Sequence, residues 1–216
     1  QAMPPHNMTL TVMGAGMLWV GWFGFNGGSA LAANGDAGMA MLVTHISAAT
    51  GAFTWMVMER IRFGKASALG IVTGMVAGLG TITPASGYVG PGGALIIGLS
   101  AGVVCFYATI YIKQRLKIDD SLDVFPVHGV GGILGMLLTG VFASDALGVF
   151  SGQEDIAIAS QVGTQALGVV ATALYTGVVT WGILKFTDAM VGNRVDEDQE
   201  QEGLDLVSHN ERGYDL

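Results

Sequence analysis

The sequence predicts an all-α integral membrane protein with six spanning helices. Three observations carry that prediction. Of 216 residues, 51% are hydrophobic and only 12% charged, about half the charge of an average soluble domain. The apolar residues fall in runs of roughly 20, the length that crosses a bilayer core. The nine Lys and Arg residues fall only on alternate connections between those runs.

The runs cover residues 8–25, 37–58, 66–82, 93–112, 123–142 and 158–186. The first ends in "WVGWFGFNGGSA". Trp19 and Trp22 read as part of an aromatic belt at the membrane surface, and "FNGGS" marks a bend just after Phe25, with Ser29 close by at the outer face. The second carries His45 in "VTHISAATGAF", whose small and hydroxyl neighbours suit an interhelical hydrogen bond. The third, "ASALGIVTGMVAGLG", spaces Gly70, Gly74 and Gly78 four apart, a stripe that lets a neighbouring helix approach closely. The fourth holds Cys105, the single cysteine, which reads as an inert thiol with no disulfide partner in the chain. The fifth is "DVFPVHGVGGILGMLLTGVF". The sixth is long for one crossing and is expected to tilt or project beyond the bilayer. Residues 1–190 thus form a membrane domain and 191–216 a tail.

Orientation follows from charge. Basic residues occupy "ERIRFGKA", "KQRLKIDD" and the region after the last span, whereas connections 26–36, 83–92 and 143–157 contain none. The basic side is the cytoplasmic one, so both ends of the chain are expected there. The chain opens "QAMPPHNMTL" with no initiator Met and no signal peptide, as the interior of a longer protein would. The tail sets eight acids against Arg194 and Arg212. Its composition predicts a disordered segment, with a docking or regulatory element as the alternative. No basic patch meets phosphates, which excludes a nucleic-acid partner.

Ionisable residues inside spans mark sites or pathways by default, and His45 and His128 are the candidates. Around His128, Gly131, Gly132 and Gly135 fall on or beside one helical face, so bulk is missing next to the ring. Asp123 is expected to cap this helix by accepting from the Phe125 N–H, with Pro126 in the first turn where no acceptor is lost. Two readings of His128 stand: a functional ring, or a buried one bonded to a neighbour. Phe25 beside Ser29 has the makings of a small-cation site, an aromatic face next to a hydroxyl. There is no Cys pair, no His or carboxylate pair at helical spacing, no P-loop, no dinucleotide fingerprint and no Ser with a base on its face. The sequence therefore predicts neither an enzyme nor a bound metal or cofactor.

The strings "PHN" (5–7), "GWFGFNGGSALAAN" (21–34), "TPASGYVGPGGALIIG" (83–98), "DVFPVHGVGGILG" (123–135) and "EGLDLVSHNERGY" (202–214), in this order and spacing, resemble the Amt/Rh family of ammonium transporters over nearly the whole chain. The resemblance implies an eleven-span fold, a five-plus-five inverted repeat with a last long helix, of which this chain corresponds to spans six to eleven. It implies a homotrimer in membrane lipid, in a bacterial cytoplasmic membrane, with one pore per subunit. By the matching motifs, Phe25 is the outer gate, Ser29 belongs to the ammonium recruitment site, and His128 is the second of two facing pore histidines. Asp123 is the acid before it, and Gly129, Gly131 and Gly132 make room for the ring and for close packing. The first pore histidine, the other gate phenylalanine, the recruitment tryptophan and the acid beneath that site belong to the first repeat, outside this chain. The tail departs slightly, with "SHNE" where "SHGE" is common, in the region where family members couple subunits and often bind PII-type signal proteins. The implied function is ammonium or ammonia transport through a hydrophobic pore. The alternatives are an ammonium sensor on the same fold, disfavoured by a tail that ends at Leu216 without an output domain, and a gas channel of the Rh type.

Overall fold

A computed structural model describes residues 4–144 and 157–213. Six helical stretches in it are long and apolar enough to cross a membrane, and the described residues contain no strand. The helices are α1 (Met8–Gly28), α2 (Gly35–Phe63), α3 (Ala68–Ile82), α4 (Pro91–Ile110), α5 (Gly131–Phe142), α6 (Ile158–Val191), α7 (Glu197–Glu202) and α8 (Leu204–His209). A 3-10 turn follows α3 at Thr83–Ala85, and π-helical turns follow α4 at Tyr111–Arg115 and precede α5 at Phe125–Val130. Residues 1–169 and 170–216 form separate compact units. The connection at 143–157 and the last residue of the "EGLDLVSHNERGY" string lie largely or wholly outside the described residues.

The helix starts follow local capping chemistry. Asn7, Asn34 and Ser67 side chains accept from the N–H of Leu10, Ala37 and Gly70 at 3.0, 3.1 and 2.8 Å, satisfying donors that have no intrahelical partner. Pro91 opens α4, where its missing N–H costs nothing. Gly64, at φ 80°, closes α2 in the left-handed conformation that glycine adopts without strain.

In the first unit α2, α3 and α4 form the centre, and the glycine stripe explains how closely they approach. A Cβ on Gly78 would strike the Ser47 carbonyl, and one on Gly74 would strike Trp55 and the Gly51 carbonyl. Gly51, Gly98 and Gly102 make the same allowance on α2 and α4. With backbones this close, Ser47 donates 2.9 Å to the Gly78 carbonyl. Packing of this kind replaces the hydrophobic drive that helices lack in lipid. Leu79, Ile82, Val43, Val89 and Ile97 are fully buried around it.

Three expectations change. α1 does not bend after Phe25. Asn26 is buried and donates 2.8 Å to Thr44 on α2, which holds the helix on to Gly28, and the chain turns at Leu31 with φ 56°. The helical face through His128 is not α-helical, because Phe125–Val130 is a π turn that shifts the register. The tail is not structureless. In the second unit Arg194 pairs with Glu200 at 2.6 Å, and the Asn193 amide donates 2.8 Å to the Leu184 carbonyl. The first turn of α7 is acidic, matching the positive end of a helix dipole.

Candidate functional site

α1 presents one apolar face: Gly14, Met17, Leu18, Gly21, Trp22 and Phe25 line an open cleft of about 580 Å³. The glycines leave the hollow and the large side chains rim it. Phe25 is 61% exposed on this face, and its ring meets Trp22 edge-on at 5.9 Å. Trp22 in turn lies nearly parallel to His128, centroids 6.4 Å apart and planes 17° from parallel. At the other end, the Ser29 hydroxyl donates 2.7 Å to the Phe25 carbonyl. Ser29, Phe25, Trp22 and His128 therefore form one contiguous succession leading back from the end of α1.

The succession corrects the reading of the aromatics. Trp22 is not a belt residue. Its indole N–H donates 2.7 Å to Thr83 Oγ1, so its polar end is anchored on the turn after α3 rather than at a lipid surface. A signal was present in the sequence: Leu18, Trp22 and Phe25 share a helical stripe. Trp19 is likewise turned inward, packing on Ala15, Ala48, Met75 and Leu79 and stacking on His45 at 5.1 Å. His45 makes aromatic contacts with Trp19 and Phe23, and the interhelical hydrogen bonds expected of it are made by its neighbours Thr44 and Ser47.

His128 sits on the π turn, exposed on the open side of the first unit. Gly80 of α3 lies beside it, where an added Cβ would rest 3.9 Å from His128 Nδ1. The three glycines after His128 do different things. Gly131 packs tightly, a Cβ there falling 2.9 Å from Thr81 Oγ1. Gly129 faces only the Phe125 ring among its nearest atoms, and Gly132 faces open space within the chain, so its expected packing role is not made here. The register shift of the π turn moves the tightest contact to Gly135, which abuts the Thr81 carbonyl.

Asp123 is not the capping carboxylate. Asp120 accepts from the N–H of both Val124 and Phe125, at 2.9 and 2.8 Å. A capping side chain reaches forward from an extended backbone, whereas Asp123 has φ 55°. Its carboxylate instead meets Lys113 Nζ at 2.7 Å. No group of three or more His, Cys, Asp or Glu suited to a metal occurs among the described residues.

Residues 1–214 match the family model "Ammonium Transporter Family". The chain is 45% identical over 214 residues to the ammonium transporter Amt1 of Archaeoglobus fulgidus, covering 97% of this chain and 53% of that protein. Among solved structures it resembles Saccharomyces cerevisiae Mep2, with TM-score 0.79, 39% identity, and 87% and 46% of the two chains covered. It also resembles a protein described as "Sensor Amt Protein", with TM-score 0.84, 34% identity, and 94% and 49% covered. The chain spans about half the length of the relatives it matches. With its six apolar helices and its match along nearly the entire length, the chain belongs to the ammonium transporter family.

Proposed function

We propose that this chain forms one wall of an ammonium-conducting pore, and that the open face of α1 and the π turn is the wall's pore side. The observation that carries the reading is the succession Ser29–Phe25–Trp22–His128. It passes from a hydroxyl, through two aromatic faces, to an imidazole, in an otherwise apolar surface. The Ser29 hydrogen is committed to the Phe25 carbonyl, which leaves the oxygen lone pairs free to accept from an ammonium N–H. The Phe25 ring adds a cation–π contact and closes the mouth. Beyond it the apolar wall penalises a bare cation heavily. The ion gives up its proton, ammonia passes along the aromatic wall, and a nitrogen of His128 takes and returns the proton. The facing histidine and the second gate phenylalanine come from the other half of the pore, which the family's inverted repeat assigns to the first five spans.

The basic residues of "ERIRFGKA" and "KQRLKIDD" support a cytoplasmic placement of those connections in a bacterial inner membrane. By the family resemblance the assembly is a homotrimer, and the tail is the place where a PII-type signal protein would dock. The resemblance to the protein described as "Sensor Amt Protein" supports a second reading, in which the same succession binds ammonium and the tail reports it.

The test is His128→Asp in the full-length protein reconstituted in liposomes, with current recorded on ammonium and potassium pulses. Loss or altered selectivity of the current, with trimer size unchanged on gel filtration, is the expected result. Wild-type current and selectivity in the variant would remove His128 from the mechanism. Wild-type protein that binds ammonium without passing current would favour the sensor.

A further inference from the structure

We propose that Lys113 is a positioning residue for His128, acting through its ion pair with Asp123, which anchors the turn from which the His128 segment starts. The inference rests on the role given to His128 above.

Both partners come from backbone that regular helix geometry does not dictate. Lys113 lies in the π turn Tyr111–Arg115 at the end of α4, after which Leu116 N–H reaches back five residues to the Tyr111 carbonyl and Ile118 N–H six residues to Ile112. Asp123 precedes the second π turn and has φ 55°, which side-chain-bearing residues seldom adopt. π turns are rare and concentrate at functional sites. Between them the chain reverses, held by Asp120 over the N–H groups of Val124 and Phe125 and by the 2.7 Å Lys113–Asp123 pair. The Asp120 contacts lie within the turn. The ion pair ties the turn to α4.

Asp123 links that tie to the histidine. Its carbonyl accepts 3.0 Å from the N–H of Val127, the residue before His128, while its carboxylate holds Lys113. One residue thus couples α4 to the first hydrogen bond of the helical segment that aims the imidazole. Side-chain exposures of 30% and 19% for Lys113 and Asp123 place the pair in a partly enclosed setting, where salt screens it less than a surface pair. The pair lines a cleft of about 230 Å³ with Glu59, Ser67, Thr73 and Thr109. Glu59 is engaged elsewhere, accepting from the Ser67 N–H and hydroxyl, so it does not compete for Lys113. Thr73 of this cleft lies on the same helical face as Gly80, about 10 Å along the axis from it, and Gly80 is the α3 residue beside the His128 ring.

The experiment compares wild type, Lys113→Met, Lys113→Arg and Asp123→Asn in the full-length protein. Ammonium and potassium currents are recorded from liposomes, and the histidine ring ¹⁵N resonances from the same purified samples. Asn tolerates the left-handed backbone, so Asp123→Asn removes the charge without removing the turn. A misaimed proton acceptor costs about 10–100-fold in the step it serves. Lys113→Met and Asp123→Asn are therefore expected to lower the ammonium-to-potassium current ratio by about that factor, leave the half-saturating ammonium concentration unchanged, and shift the His128 resonances. Lys113→Arg, which keeps charge and reach, restores the ratio. A merely structural pair would scale both currents with the amount of folded protein and leave the ratio fixed, which overturns the proposal. Unmoved His128 resonances overturn it as well, even if wild type passes no ammonium current and the transport reading itself has failed. Failure of both Lys113→Met and Asp123→Asn to fold assigns the pair to folding and likewise overturns it.

Discussion

The Trp22 indole lies 6.4 Å from the His128 ring and nearly parallel to it, while its N–H is bonded to Thr83 at 2.7 Å. Thr83 itself donates 2.8 Å to the Leu79 carbonyl. The indole is therefore pinned from the end of α3, and a pinned indole limits the orientations open to the imidazole beside it. Trp22→Leu removes both the flat neighbour and its anchor, and is expected to lower the ammonium current by about tenfold or more. Thr83→Val keeps the indole but frees its N–H, and is expected to cost only a few-fold, as the loss of one hydrogen bond of about 1 kcal/mol would. Currents from the two variants, scaled to the amount of protein inserted, check the order. An unimpaired Trp22→Leu would separate the aromatic wall from conduction.

In the proposed mechanism Ser29 and Phe25 act before the proton is lost, so their effects should belong to binding. Ser29→Ala deletes the acceptor turned outward by the bond to the Phe25 carbonyl. An exposed site screens part of the gain, and the half-saturating ammonium concentration should rise about three- to tenfold, a loss of roughly 1 kcal/mol. The maximal current should stay near wild type. A fall in maximal current at unchanged affinity would place Ser29 in the conduction step instead.

The stripe Gly70, Gly74, Gly78 predicts its own test. At Gly74 the obstruction to a Cβ includes the Gly51 carbonyl, and backbone cannot swing aside as a long side chain can. Gly74→Ala should destabilise the full-length protein by about 1–3 kcal/mol through overpacking, despite the better helix propensity of alanine. The buried Asn26–Thr44 bond offers a contrasting case. Thr44→Val strands the Asn26 amide and should cost about 1–3 kcal/mol, while the Asn26→Leu, Thr44→Val double variant recovers much of it. Thermal unfolding in detergent reads both, and additivity of the Asn26 and Thr44 single variants would show that the bond contributes nothing.

Much of the fold was legible because a bilayer demands long apolar runs and punishes charge, and both leave marks in the sequence. The glycine stripe was equally open to reading, since in lipid close packing has no substitute. Phe25 and Ser29 could be paired because they are only four residues apart, although the bend expected between them is not there: α1 continues to Gly28. What stayed hidden depends on contacts between distant segments. "DDSLDVF" offers three carboxylates for one cap, and the choice between Asp120 and Asp123 turns on Lys113, supplied by another helix. A tryptophan at a membrane surface and one stacked on a histidine have the same local composition, and only Thr83, 61 residues away, separates them. The two π turns have no sequence signature that distinguishes them from α-helix, so the register after His128 was misread. The tail's acidity pointed to disorder because composition carries no record of a single Arg–Glu contact.

That contact gives the clearest pH prediction. The Arg194 guanidinium hydrogen-bonds both Glu200 carboxylate oxygens, at 2.6 and 2.8 Å, and holds the Glu200 carboxyl below its ordinary value of 4.5. A depressed acid binds its proton less readily folded than unfolded. Its contribution is therefore fully present above the ordinary carboxylate range and disappears as pH falls through the lowered folded value. The site is solvent-exposed, so salt should weaken the effect. In a ¹³C titration, Glu200 should show a midpoint below 4.5, moving back up in Arg194→Gln and in high salt. α7 helicity should persist through mildly acidic pH and fall only below that midpoint, because the order of this segment rests on the ionised pair. A Glu200 midpoint unaffected by Arg194→Gln would mean that the pair does not organise the tail.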